Sequence, residues 1–216
     1  MNSLELLDAV LFAMIQHGTK ARQTTCLPWS IHVVRTAKFV CTFYAEVNNV
    51  QLLKPLEILI KAALFHDILE ETDYNKHFLA DEHGPYVAQI VKNLTSDAEA
   101  IAKVGKEAYL IDKIPNLDWD SLFVNLCHQL DNVGAYSKNG PVDKAEACAV
   151  QTLNILLALS ARQWHVFRRL TYIILLASSD CLPKEHQLHT KIEKLLQVDW
   201  ATQDVMATAH SCISEN

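Results

Sequence analysis

Apolar residues recur every three to four positions along almost the whole chain, and very little interrupts them. Only 5 Gly and 6 Pro punctuate 216 residues. That is the period of a helix face, and the two-residue alternation of a half-buried strand appears nowhere. The spacing therefore predicts an all-α fold. Asn2 is placed to cap a first helix, with Glu5 three residues on and Leu4, Leu7, Leu11 and Met14 as its stripe. After "TTCLP" a second helix is expected near 29–46. "KPLEILIKAALFHDILEE" reads as a third, with Pro55 in its first turn. Further helices are expected near 74–80, 85–93, 102–114 and from Trp119, capped by Asp118, to about Tyr136. "SKNGP" (137–141) is the clearest break, and helices near 142–160, 164–178, 185–196 and 199–212 follow it. The division expected is a helical core over 1–136 and a helical extension over 137–216. The extension is apolar enough to pack on the core.

Half of the residues are apolar, which suits one domain with a sizeable core. A net charge of −6, with no basic run, argues against a nucleic-acid partner. No window approaches 18 charge-free apolar residues, so no membrane span is expected. The N-terminus lacks a basic region, and Glu5 and Asp8 interrupt its apolar positions, unlike a secretory signal. The six cysteines are scattered without a CxxC pair. They read as reduced thiols of a cytoplasmic protein.

The chemistry gathers around "FHDILEET" (65–72). Helical spacing puts His66 beside Glu70 and Asp67 beside Glu71, at the end of an otherwise apolar helix. Burying four ionisable groups together is costly without a compensating cation. A divalent metal is one solution and exposure to water is the plainer one. His32 lies among Ile31, Val33 and Val34 and by itself reads as an ordinary core or surface histidine. On the helix from 119, Asn125, His128, Asp131 and Asn132 form a polar stripe opposite Trp119, Leu122, Phe123, Leu126, Leu130 and Val133. Spacing alone favours simple amphipathicity there, with the stripe in water.

Taken in order, these stretches resemble the HD-domain metal-dependent phosphohydrolases. The likeness is closest to the RelA/SpoT-type hydrolase domain and the stand-alone small alarmone hydrolases. "QHGTKARQTTCLPWSIHVV" is similar to that family's "H-x-G-Q-x-R-K…P-Y-I-x-H-P", and "AALFHDILEET" to its "AALLHDVVEDT". "HGPYVAQIVKNLT", "GKEAYLIDKI" and "VNLCHQLDN" follow where the family has "FGxxVAxLVxxVT", "RKEAYL" and "VKLADRLHN". The five phrases cover about 14–136. Nothing in 137–216 resembles the family, and the chain is too short to hold the synthetase domain of the bifunctional proteins.

The resemblance implies an HD-domain helical bundle and a manganese-dependent pyrophosphohydrolase that removes the 3′-pyrophosphate of guanosine tetra- or pentaphosphate. It implies His32, His66 and Asp67 as metal ligands and Glu70 and Glu71 as the pair that positions and activates water. It also implies Asn132 and, less closely registered, Arg22 at the substrate. The chemistry suits these types: a bound metal acidifies its water and polarises a phosphoryl oxygen, a carboxylate accepts the proton, and a guanidinium offsets phosphate charge.

One position departs. The family's fourth ligand is the Asp of "LADRLHN", and His128 stands there, while Asp131 stands where the family has histidine. Three readings follow. His128 ligates the metal, and a nitrogen-rich site then shifts preference toward iron, nickel, copper or zinc. Alternatively Asp131 ligates after a local helix shift of about 5 Å. In the third, the site has decayed and the protein binds nucleotide without cleaving it. Two rivals to the alarmone reading are an HD phosphohydrolase for another phosphorylated nucleotide and a silent alarmone-binding or partner-binding protein. Outside the matched phrases, the two histidines of "HQLH" (186–189) read as a solvated face. "RQWHVFRRL" (162–170) reads as a helix that buries its aromatics and exposes its arginines.

Overall fold

The computed structural model describes residues 3–22, 27–48, 53–139 and 141–198. Among them every regular element is a helix, and the only β contact is an isolated antiparallel bridge between Ala21 and Pro28. The helices are α1 (Ser3–His17), α2 (Trp29–Val47), α3 (Leu56–Phe65), α4 (Ile68–Glu71), α5 (Lys76–His83), α6 (Pro85–Leu94) and α7 (Ala98–Val104). After them come α8 (Lys106–Lys113), α9 (Trp119–Asn139), α10 (Val142–Ala158), α11 (Ala161–Val166), α12 (Arg168–Ser179) and α13 (Leu188–Gln197). The all-α expectation holds. The expected cap at Asn2 and the helix near 199–212 lie outside the described residues.

The middle of the molecule is α9. Leu122, Phe123, Val124, Leu126 and Cys127 on it are wholly buried, so it is covered on every side. One flank of α9 packs against α2 and α3, and the other takes α10 and α12. Asp118 begins it as expected: its Oδ1 accepts the Ser121 N–H at 2.8 Å. The helix runs past residue 136, and one apolar cluster takes in residues from both sides of that point.

Three expectations about continuity need correction. The helix expected over 102–114 is two, α7 and α8, because Gly105 between them adopts φ +86°, a conformation other residues avoid. The helix expected over 164–178 breaks at Phe167 (φ −101°, ψ 20°), whose ring is buried against Trp119 and Phe123. The third helix ends at Phe65. His66 and Asp67 form a turn before the single turn of α4, and Pro55 caps α3 rather than opening it.

A fourth correction concerns α1. Leu4, Leu7, Leu11 and Met14 face outward, and Ala9, Ala13 and His17 are the buried residues. Two alanines let α1 lie close to its neighbours α2 and α3, which a leucine ridge would not.

Candidate metal centre and its cavity

Three elements deliver one cluster. His32 comes from the first turn of α2, His66 and Asp67 from the turn after α3, and His128 from the middle of α9. One ligand-type atom from each lies within 4.8 Å of all the others. Among the described residues no other group of this kind exists. His32 and His66 are buried, and Asp67 and His128 are partly open to a cavity.

Second contacts decide which ring nitrogens face inward. His66 donates its Nδ1–H to the Ala63 carbonyl at 2.7 Å, the residue one turn back. His32 donates its Nδ1–H to Asp131 Oδ2, also at 2.7 Å. Both Nε2 atoms are therefore free of hydrogen when the rings are neutral. They point at each other 3.2 Å apart. Two bare lone pairs at that distance repel, and a cation or a proton between them removes the repulsion. Asp67 completes the arrangement, with Oδ1 3.1 Å from His66 Nε2 and Oδ2 3.4 Å from His32 Nε2. Trp29 Nε1–H donates to Asp67 Oδ2 at 3.0 Å and fixes the carboxylate. These contacts explain why the helix stops at Phe65: a continuous helix would carry Asp67 off this line.

The charges agree with the geometry. Burial works against charge on Asp67, but the facing His66 and His32 outweigh it and hold the carboxyl well below its usual range. Burial also opposes charge on His66, yet the Asp67 carboxylate and the Ala63 carbonyl leave its pKa raised. Burial and the neighbouring His66 and His32 push His128 well below the usual histidine value, so its ring is neutral. A neutral imidazole is the form that ligates metals.

The polar stripe on α9 does not face water. Asp131 is buried, on the far side of the His32 ring from the cluster, with Arg35 Nε 2.6 Å from its Oδ1 and Arg22 3.8 Å from Oδ2. The Arg35 contact is an ion pair without the alignment of a directed hydrogen bond. Asp131 thus orients His32 and is not among the clustered atoms. Asn132 donates to His128 Nε2 at 2.9 Å and accepts from Arg22 at 2.7 Å.

Glu70 and Glu71 do not pair with His66 and Asp67 as four-residue spacing suggests. Glu70 Oε1 accepts the backbone N–H of Ser96, and Glu71 is ion-paired to Lys20. Both still line the cavity beside the cluster, as do Arg22, Asn132 and Trp29. The cavity measures about 370 Å³, within the size range of small-molecule sites. Its far side is made by α8 and α10, through Lys106, Lys144 and Thr152.

Sequence reasoning passed over Lys20, Trp29, Arg35 and Ser96, which hold the site residues in place. Arg35 alone left a trace, three residues after His32 on the same helix. Elsewhere, His186 and His189 are partly exposed, and each also has a protein partner. His186 lies 3.6 Å from Glu146, and His189 bridges Ser179 and the Pro183 carbonyl. Trp164 and Phe167 are buried and Arg169 is exposed, as the 162–170 pattern expects.

Comparison with known proteins agrees. No family model matches the chain. It is 27% identical over 129 residues to a Danio rerio protein named guanosine-3′,5′-bis(diphosphate) 3′-pyrophosphohydrolase MESH1, covering 59% of this chain and 67% of that relative. A solved structure, described as a metazoan ortholog of SpoT that hydrolyzes ppGpp and plays a role in starvation responses, superposes with a TM-score of 0.63. That match covers 78% of this chain and 97% of the other, at 19% identity. The all-α fold is shared with that solved structure.

Proposed function

We propose that this chain is a metal-dependent nucleotide pyrophosphohydrolase that removes the 3′-pyrophosphate of guanosine tetra- or pentaphosphate. The observation that carries the metal site is the convergence of the His32 and His66 Nε2 lone pairs beside Asp67. The relative's name and the shared fold support the reaction and the nucleotide.

His32, His66, Asp67 and His128 would hold one divalent ion. Such an ion supplies an acidified water and a polarised phosphoryl oxygen. Three imidazoles and one carboxylate suit iron, nickel or zinc better than manganese, the metal the family resemblance implies. With Asp131 engaged on the outer side of His32, His128 is the fourth ligand in this reading, and its Nε2 is free to ligate once it gives up the Asn132 N–H.

Glu70 and Glu71 divide the remaining work. Glu70 is held through Oε1 by Ser96, which leaves Oε2 to take a proton from water. Glu71, ion-paired to Lys20, orients that water. Arg22, steadied by Asn132, offsets phosphate charge at the cavity wall. Leaving the α9 stripe inside rather than in water gives the substrate a polar bed beside the cluster.

A second reading has one observation in its favour: both acidic side chains already have protein partners. In it, the protein binds the nucleotide and does not cleave it. The test is metal content after chelator-free purification, followed by hydrolysis of guanosine tetraphosphate under manganese, iron, nickel and zinc. Turnover with stoichiometric metal supports the enzyme. Tight nucleotide binding with no turnover under any metal supports the second reading. Turnover of other nucleotides alone moves the substrate assignment.

Among the described residues no helix is long and apolar enough to cross a membrane.

A further inference from the structure

The cavity reaches well past the metal cluster, and its floor there is built from neutral amides. Asn125 and Gln129, one turn apart on α9, are 8% and 6% exposed and both line it, with Thr152 of α10 beside them. The three form a hydrogen-bond chain with one direction. The Thr152 hydroxyl donates to Gln129 Oε1 at 3.2 Å, and Gln129 Nε2 donates to Asn125 Oδ1 at 3.4 Å. The Asn125 carbonyl oxygen is thereby engaged. Its amide N–H groups, at the end of the chain, have no protein partner among the described residues.

That amide nitrogen opens onto the cavity from a side chain otherwise almost wholly buried, so a ligand acceptor can take the place of water there. The cationic groups line the same space: Arg22 near the cluster, and Lys106 and Lys144 on the α8 and α10 side that Thr152 shares. Phosphate charge has partners there, and the amide floor suits a neutral acceptor.

We infer that Asn125, oriented by Gln129 and Thr152, is a specificity-determining residue that donates to a carbonyl-type acceptor on the base of the bound nucleotide. The inference rests on the proposed function only in taking a nucleotide as ligand. A 6-oxopurine offers acceptors to Asn125. A 6-aminopurine faces it with another donor and leaves both unpaired, a loss on the order of ten- to a hundredfold in affinity.

The test is titration calorimetry of the full chain with GDP and with ADP, in chelator, so that neither metal nor turnover enters. Wild type is expected to prefer GDP by about tenfold or more. Asn125→Asp keeps the acceptor for Gln129 and replaces the free donors by an acceptor. Its added charge weakens both nucleotides, so the readout is their ratio, which should fall to unity or invert. Thr152→Val removes the hydroxyl that orients Gln129 and should narrow the preference without inverting it. It also serves if Asn125→Asp does not fold. Equal binding of GDP and ADP by wild type, no binding of either, or a ratio that both variants leave unchanged overturns the inference. Failure of the hydrolase reading shows separately, as absent turnover in the metal screen with the GDP preference intact.

Discussion

Asp131 accepts the Nδ1–H of His32 across 2.7 Å, and this turns the opposite edge of the ring toward His66. The contact decides the tautomer of a residue that otherwise has two, and it does so from outside the cluster. Asp131→Asn keeps the shape and removes the charge. Its amide can present an N–H to His32, which would then hold its hydrogen on the inward nitrogen. Metal affinity should fall by about 10–100-fold, the usual effect of losing such an outer partner. Titration of the metal-free protein with zinc or nickel measures it. Unaltered affinity would show that His32 needs no help from Asp131.

The nature of the fourth ligand makes a second prediction. His128 faces His32 and His66 at ring-centre distances of 5.0 and 4.8 Å. His128→Asp would replace a neutral nitrogen donor with a charged oxygen donor. Preference should then move toward manganese, read as the ratio of manganese to nickel bound from an equimolar mixture. His128→Ala should lower the affinity for every metal. If neither variant changes metal binding, His128 is no ligand and its contact with Asn132 is its whole role.

The helical architecture was legible in the sequence because a 3.6-residue period is written locally, and so was the grouping of His32, His66, Asp67 and His128, through the order of their phrases. The break at Phe65 was not. It is imposed by Trp29 and His32, which hold Asp67 from more than thirty residues away. The outward turn of the α1 stripe also depends on what α2 and α3 offer as a surface. A polar stripe on α9 looks the same in sequence whether water or a cavity lies opposite. Only the packing of α10 beside it places Asn125 and Gln129 inside.

The division of labour between the two glutamates gives a third prediction. Glu70→Gln should lower kcat by about 10²–10⁴-fold, as removal of a general base does, while metal content stays unchanged. Lys20→Met releases Glu71 without touching the cluster. It should lower kcat by a smaller factor and leave KM nearly constant. Lys20 is half exposed, so stability should shift by no more than about 0.5 kcal/mol. A Lys20 variant with full activity would leave Glu71 without a need for its partner.

Acid should destabilise the metal-free protein. Burial lowers the pKa of His17 and His83, and burial with the neighbouring imidazoles lowers that of His128 further. For each, the folded value lies below the unfolded one of about 6.5, so the unfolded chain binds the proton first. Their contribution is complete above that pH and is lost as pH falls through it toward the folded values. His66 works the other way. Its folded pKa is raised, so its contribution is present at low pH and lost as pH rises. Asp67, held low, keeps its full contribution above the unfolded carboxylate pKa of about 4 and begins to lose it as pH falls through that value, outside this window. Three groups against one give a net loss between pH 7 and 5, at most about 1.4 kcal/mol per pH unit for each proton taken up. Urea unfolding at pH 7, 6 and 5 in chelator measures it. His17 has no hydrogen-bond partner on either ring nitrogen, so His17→Phe should flatten the profile by about one proton's worth. A profile as steep as wild type in that variant would exclude His17 as one of the groups responsible.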